Sequence, residues 1–262
     1  MRLLPFFSFG LVAFSLTAFA AEDPARNRFD VVIVDAGHGG EDDGARGSQG
    51  LVEKKLVLEV SSLLANRLRS RGLTVILTRE HDEYVSLEAR TSVANDGRGD
   101  LFLSIHANSS HSDRPQGIET YFVSLETSDD LSQQVASREN AVFGKKASAA
   151  LRLDPLSAIL GDMSVNEHVR ESSRFAKLAQ AELAKLDPGS SRGIKQAPFV
   201  VLMGVRMPAT LVEIGFLSNA RDERALRTVE RREAIADALT RAIVEFGMDY
   251  DKRRGMASVE AR

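Results

Sequence analysis

The sequence predicts an α/β fold: a single domain on an open, mostly parallel, twisted sheet of about six strands, with helices on both faces. Short apolar runs rich in β-branched residues, typical of strands buried on both faces, end at residues 34, 77 and 105. Segments of helical periodicity separate these runs. Alternation of this kind is typical of doubly wound sheets with right-handed crossovers.

These patterns predict the elements in chain order. A strand at 30–35 leads into a helix at 53–71, whose apolar residues recur at helical spacing. A strand at 73–77, a short helix capped by Ser86 and a strand at 101–106 follow. The next connection is short for a parallel crossover, which favours an antiparallel edge strand after it. The later elements expected are strands at 117–123, 199–203 and 209–214 and helices at 127–151, 166–186 and 230–246.

Both ends of the chain are predicted to lie outside the folded domain, which spans 29–247. Residues 1–20 have the form of a signal peptide, with a positive start at Arg2, an apolar stretch and a small-residue cleavage site at Ala18-Phe19-Ala20. The apolar stretch is short for a membrane span, so we expect an exported, periplasmic protein without stable membrane insertion after cleavage. An uncleaved anchor is the alternative. The charged residues 251–262 are expected to form a disordered tail.

Composition excludes several classes of function. The net charge of -3 lacks the basic excess that nucleic-acid binding requires, so no nucleic-acid partner is expected. The chain has no cysteine, so a metal would be bound by His, Asp or Glu. The glycine-rich loop at 41–50 has neither a Gly-Lys-Ser/Thr motif nor a G-x-G-x-x-G pattern before a helix, which argues against a nucleotide site.

Four residues are candidates for chemistry. His38 and His106 each stand where an apolar strand ends, and the carboxyl ends of parallel strands meet at one rim of a sheet. Glu53 opens the first helix at that rim, where the helix dipole alone would also favour a carboxylate. Two imidazoles and a carboxylate form the ligand set of a catalytic zinc site. Glu213 lies inside an apolar strand, where it needs either an arginine partner or a role as general base near the metal.

Several short motifs occur in the order typical of one enzyme family. They are Asp35-Ala36-Gly37-His38-Gly39-Gly40, Gly50-Leu51-Val52-Glu53-Lys54, Ser104-Ile105-His106-Ala107-Asn108, Gly117-Ile118-Glu119-Thr120-Tyr121 and Val212-Glu213-Ile214-Gly215-Phe216-Leu217-Ser218-Asn219. Over nearly the whole mature chain, the sequence resembles the zinc-dependent N-acetylmuramoyl-L-alanine amidases of the amidase-3 family, which are bacterial cell-wall hydrolases. The resemblance implies an open α/β sheet, Zn²⁺ bound by His38, Glu53 and His106, and Glu213 as the catalytic glutamate.

The resemblance also implies an activity and a substrate. That activity is zinc-dependent hydrolysis of the amide bond between N-acetylmuramic acid and L-alanine in peptidoglycan, in cell-wall remodelling and daughter-cell separation. Two alternatives stay open at this point: a zinc exopeptidase that acts on free peptides, and a cell-wall-binding protein without catalysis. Four polar residues are further candidates for orienting stem-peptide carboxylates, although arginines are as often paired or solvated: Arg46, Arg79, Arg90 and Asn108.

One segment resembles a regulatory insert. Family members that act in daughter-cell separation carry an insert that blocks the zinc site until an activator protein displaces it. Residues 141–164 resemble this insert in position, and one of its carboxylates, Asp154 or Asp162, would then approach the zinc. An ordinary helical connection on the surface is the alternative.

Overall fold

The structure, a computed structural model, describes residues 28–141 and 163–255. The strands in these ranges are β1 (Val31–Ala36), β2 (Thr74–Leu77), β3 (Leu101–Asn108), β4 (Ile118–Val123), β5 (Ser191–Ala197) and β6 (Ala209–Phe216). The helices are α1 (Glu53–Arg69), α2 (Leu87–Asp96), α3 (Asp130–Asn140), α4 (Met163–Ala184), α5 (Val200–Met203), α6 (Ala220–Leu226) and α7 (Val229–Arg253). The predicted signal peptide at 1–20, and Asp154 and Asp162 of the predicted insert, lie outside the described residues.

The strands form one sheet in the order β2-β1-β3-β6-β4-β5. The first four strands in this order are mutually parallel, and β4 pairs antiparallel with β6. β5 runs parallel to β4 on its other side. The predicted open, mostly parallel sheet of six strands is therefore confirmed, and the starts of β4 and β5 share a rim with the ends of β1, β3 and β6.

Apolar side chains pack on both faces of this sheet. On β1, Val32 and Val34 join a core cluster with residues of α1, α4 and α7. Ile33, between them, joins a second cluster with residues of α2, α3 and α5 on the opposite face. Because successive side chains of a strand point to opposite faces, a strand covered on both sides has an unbroken apolar sequence. Helices lie on both faces, as predicted.

In the second half of the fold, the strand at 199–203 and the edge position of β4 were wrongly predicted, and two elements were not predicted at all. Residues 199–203, expected as a strand, form the single-turn helix α5, because a short apolar run suits either structure. β5 was not predicted, since Ser191–Ala197 lacks an apolar alternation. It covers the outer side of β4, so β4 is antiparallel as expected but is not an edge strand. α6, whose first turn is capped by Asn219, was also not predicted.

The last helix is longer than predicted. α7 runs on to Arg253, so residues 251–253 are helical rather than part of a disordered tail. The extra turns are held to the start of the domain, where Asp251 accepts a hydrogen bond from the backbone amide of Phe29 (2.7 Å) and Tyr250 packs against the Phe29 ring. Residues 256–262 lie outside the described residues.

No helix within 28–141 and 163–255 has the length and hydropathy that crossing a membrane requires.

Candidate active site

The candidate residues meet at the rim where the parallel strands end. His38 follows β1 by two residues, and His106 lies in the last part of β3, directly opposite Glu213 of β6 in the sheet register. Glu53 is the first residue of α1. The structure therefore brings His38, Glu53 and His106 together, with Glu213 on the neighbouring strand.

Two buried arginines hold the backbone of the His38 loop. Arg79 donates to the carbonyl oxygen of Gly37 (2.8 Å), and Arg90 donates to that of His38 (2.7 Å) and pairs with Asp35 (2.6 Å). His38 has a φ of +57°, in the left-handed region that non-glycine residues rarely adopt, and the two guanidinium groups stabilise that turn. Arg79 and Arg90, candidates for binding stem peptides, therefore have a structural role here.

Four side chains converge at this rim, and their ligand atoms all lie within 4.8 Å of one another: His38, Glu53, His106 and Glu139. Glu53 Oε1 lies 3.1 Å from both His38 Nε2 and His106 Nδ1. Glu139 Oε2 lies 3.2 Å and 3.0 Å from the same two nitrogens. None of the four residues is more than 8% exposed.

This donor set fits a divalent metal ion. His38 Nε2 and Glu139 Oε2 are buried without a hydrogen-bond partner, although oppositely charged groups face them. Imidazole nitrogens and carboxylate oxygens that converge on one place are arranged as metal ligands are, and among them only His106 Nδ1 and Glu53 Oε1 are hydrogen-bonded to each other (3.1 Å). The donor types suit zinc, and they also admit manganese or cobalt. The assignment of His38, Glu53 and His106 as the ligands stays a prediction.

Hydrogen bonds to groups outside the cluster orient the candidate ligands. Asp42 Oδ2 lies 2.8 Å from His38 Nδ1, which donates because a carboxylate only accepts, and so Nε2 faces the cluster. Glu53 accepts from the backbone amides of Ala107 (2.9 Å) and Ala45 (2.7 Å). Sequence reasoning missed Asp42. The sequence feature that could have identified Asp42 is a carboxylate four residues after His38 within a glycine-rich turn.

Two glycines leave the space that the cluster occupies. A Cβ atom on Gly37 would lie 2.3 Å from Cε1 of His106. A Cβ atom on Gly44, which has a φ of +64°, would lie 2.6 Å from both the Glu53 carboxylate and the His38 ring. A side chain at either position would displace a candidate ligand.

The charges of the cluster balance one another. Burial of His106 disfavours the imidazolium, but the carboxylates of Glu139 and Glu53 outweigh it and raise the pKa of His106 to about 10. Burial of Glu53 favours the neutral acid, but the two imidazoles outweigh it and lower the pKa of Glu53 to about 2. A divalent cation bound here would replace the imidazolium protons as the counter-charge of the carboxylates.

Glu139 was not predicted to join the site. It lies in the last turn of α3, two residues before the predicted insert begins. α3 is fixed beside the rim at both ends: Asn140 bonds the carbonyl of Pro198 (2.8 Å) and the amide of Val200 (2.9 Å), and Asp129 pairs with Lys195 of β5 (2.9 Å). The docking of this helix therefore brings a second carboxylate, and a fourth donor side chain, to the candidate ligands.

Glu213 is fully buried and neither of its carboxylate oxygens has a hydrogen-bond partner. Arg138 of α3 is a cation beside it, with its Nη2 atom 3.9 Å from Glu213 Oε1. Burial, followed by the negative charge of Glu139, raises the pKa of Glu213 well above its usual range. A buried carboxylate without a close partner suits proton transfer better than a structural ion pair.

Of the other two candidates for orienting stem peptides, Asn108 lies in the site and Arg46 does not. Arg46 is exposed and pairs with Asp43, outside the cluster. Asn108, at the end of β3, is fully buried and its side chain contacts Arg138 and Glu119 within the site.

Comparison with known proteins points to one family. The sequence pattern of the family described as N-acetylmuramoyl-L-alanine amidase matches residues 32–245. The chain is 32% identical over 228 residues to N-acetylmuramoyl-L-alanine amidase AmiA of Escherichia coli, which covers 86% of this chain and 78% of AmiA. It is 31% identical over 229 residues to AmiC of Escherichia coli, covering 86% of this chain but 54% of AmiC, so it spans about half the length of that relative.

Solved structures have the same fold. The catalytic domain of the amidase CwlV from Bacillus (Paenibacillus) polymyxa var. colistinus aligns with a TM-score of 0.63 at 29% identity, over 84% of this chain and 99% of that one. An amidase from Clostridium difficile 630 aligns with a TM-score of 0.65 at 24% identity, over 85% of this chain and 98% of that one. Family pattern, relatives and fold agree, and the chain belongs to the N-acetylmuramoyl-L-alanine amidase family of peptidoglycan hydrolases.

Proposed function

We propose that the chain is an exported zinc enzyme that hydrolyses the amide bond between N-acetylmuramic acid and L-alanine in peptidoglycan, with His38, Glu53 and His106 as zinc ligands and Glu213 as the general base. The observation that carries this proposal is the convergence of two imidazoles and a carboxylate at the rim, beside a buried glutamate on β6 whose oxygens have no hydrogen-bond partner.

Each residue has a distinct role in this chemistry. His38, Glu53 and His106 hold the metal, and Asp42 keeps the Nε2 atom of His38 turned toward it. The chemistry that bound zinc supplies is polarisation of the amide carbonyl and acidification of water. Glu213 accepts a proton from the attacking water and returns it to the leaving nitrogen, which is a poor leaving group unless it is protonated.

Docked α3 represents a resting state of the enzyme. Glu139 fills the position beside the ligand atoms where water and the substrate carbonyl would enter, and its charge contributes to the raised pKa of Glu213. Withdrawal of α3 would free that position and return Glu213 toward the ionised form that a base requires. An activator protein that displaces α3 is the partner that this arrangement calls for.

Export follows from the substrate. Peptidoglycan lies outside the cytoplasmic membrane, and the signal-peptide pattern of residues 1–20 supports export to the periplasm, where cell-wall remodelling takes place.

The test is the release of peptides from purified peptidoglycan by the whole protein, with a chelator and after zinc is restored. We expect peptides with a free N-terminal L-alanine, released only with metal. Glu213→Gln should keep its zinc and lose about 100- to 10,000-fold in rate, the usual contribution of a general acid–base group. Glu126→Gln, at an exposed glutamate, is the matched control and should retain the full rate.

Other outcomes would contradict the proposal. Trimming of free peptides without attack on intact peptidoglycan would indicate an exopeptidase. Binding to peptidoglycan without any release, also after α3 is loosened by Glu139→Ala, would indicate a wall-binding protein.

A further inference from the structure

α3 presents two adjacent side chains to the site, and they occupy different parts of it. Glu139 faces the candidate metal ligands, whereas Arg138 reaches across to Glu213 and Asn108. Arg138 Nη2 donates to Asn108 Oδ1 (3.0 Å) and lies 3.9 Å from Glu213 Oε1. A donor nitrogen therefore stands between the predicted base and a carboxamide oxygen in the closed site.

Both neighbours of Asn108 fix the orientation of its carboxamide. Nδ2 donates to Glu119 Oε2 (3.2 Å), and this carboxylate can only accept. Oδ1 accepts from Arg138, whose guanidinium can only donate. The acceptor end of Asn108 is therefore directed at the reaction site, and Asn108 is fully buried two residues after His106.

We propose that Asn108 Oδ1 accepts the N–H of the scissile amide, and that Arg138 occupies the place of this substrate nitrogen while α3 is docked. The inference rests on the proposed function, because it takes the substrate to be the amide of L-alanine. The leaving nitrogen must lie within reach of Glu213 to receive its proton, and the nitrogen of Arg138 is the one that lies there in the structure.

The bond changes explain why such an acceptor is needed. The water oxygen bonds to the lactyl carbonyl carbon, and the electrons of the broken C–N bond stay on the L-alanine nitrogen. That nitrogen then takes the proton that Glu213 removed from the water. If Asn108 Oδ1 accepts the N–H of the L-alanine nitrogen, the lone pair that develops on this nitrogen points away from Asn108 and toward Glu213. The acceptor thereby orients the reacting nitrogen for proton transfer.

A purely structural role for Asn108 is the competing explanation. The carboxylate oxygen of Glu119 that Asn108 contacts also accepts a hydrogen bond from the Tyr121 hydroxyl (2.6 Å), so the two donors serve the same atom. Tyr121→Phe therefore removes an equivalent bond to Glu119 without touching the acceptor that faces the site. This variant is the matched control for Asn108.

The experiment uses the full-length, zinc-loaded protein with Arg138→Ala, so that loss of the Arg138 contact is common to all variants. Asn108→Ala is compared with Asn108→Leu, which keeps the side-chain volume, and with Tyr121→Phe. Two quantities are measured: kcat/KM on peptidoglycan, and the affinity for a short peptide with a free N-terminal L-alanine, by calorimetry. Both Asn108 variants should lose about tenfold in each quantity, the usual effect of one hydrogen bond. Tyr121→Phe should change neither, and zinc content should stay constant.

The proposal is overturned if the Asn108 variants equal Tyr121→Phe in both quantities, or if all three fall together, which would indicate a structural role through Glu119. Failure of the proposed function gives a different result: the Arg138→Ala parent itself would release no L-alanyl peptides. The peptide-affinity comparison would still decide whether Asn108 binds an L-alanine nitrogen.

Discussion

Replacing Glu139 by alanine tests whether α3 closes the site. The Glu139 carboxylate lies 3.2 Å from His38 Nε2 and 3.0 Å from His106 Nδ1, so the alanine variant loses from its closed state a charge-assisted contact. The partners are the imidazolium groups when the site is metal-free, and a bound zinc ion would take their place as the positive charge. Such an interaction contributes about 1.5 to 3 kcal/mol, which corresponds to about a 10- to 150-fold shift in the ratio of closed to open protein. While the open form is the minor one, the basal rate of peptide release should rise by the same factor.

The assay is the rate of L-alanyl peptide release from peptidoglycan without any partner protein, at equal zinc content. The matched control is Asp130→Ala, which removes an exposed carboxylate from the first turn of the same helix. An unchanged basal rate in Glu139→Ala, with zinc still bound and the fold intact, would refute closure by α3. A rise of the same size in both variants would attribute the effect to helix stability instead.

Three further predictions concern a glycine and an arginine around the site and a carboxylate at the opposite end of β1 and β3. Gly37→Ala puts a Cβ atom 2.3 Å from the His106 ring, so zinc affinity measured by competition with a chelator should fall while the fold persists. Unchanged affinity would show that the space beside Gly37 is not needed for metal binding. Arg90→Leu leaves the buried Asp35 without its cation and should reduce the free energy of unfolding in urea by about 3 to 5 kcal/mol. A change under about 0.5 kcal/mol would show that the Arg90–Asp35 pair does not stabilise the fold. Burial raises the pKa of Asp100 to about 6, against about 3.9 in an unfolded chain, so its contribution to stability is present below about pH 4 and lost as the pH rises through 6. Asp100→Asn should remove that part of the pH dependence of unfolding, and parallel profiles would refute it.

The first half of the fold was predictable because its strands are buried on both faces. Val32, Ile33 and Val34 alternate between two core clusters, so the strand is an unbroken apolar run with a clear end. β5 carries no such signal, since it contains Arg192, Gly193, Lys195 and Gln196 and is held mainly by backbone pairing with β4. The apolar run at 199–203 was misassigned because periodicity over five residues does not separate a strand from a helical turn.

The candidate site likewise has residues that the sequence predicts and residues that it does not. His38 follows β1, and His106 and Glu213 lie in the second halves of β3 and β6, so topology alone brings them toward the rim where the parallel strands end. Glu139 has no such position in the sequence. It reaches the site because α3 docks against Pro198 and Val200, which are close to it only in the folded chain. The left-handed turn at His38 likewise depends on arginines from elsewhere in the sequence, whose pairing no local pattern reveals.

Burial of the four clustered side chains makes ion exchange a gated process. With none of His38, Glu53, His106 and Glu139 more than 8% exposed, the cluster has little contact with solvent in the described part of the chain while α3 is docked. A chelator would then remove zinc no faster than α3 moves away, and the rate of zinc loss would report the opening of the helix without any substrate. Resistance to chelators and low basal hydrolysis would then both result from the docking of α3. A partner that displaces α3 would therefore raise the rate of hydrolysis and also the rate at which a bound zinc ion is lost.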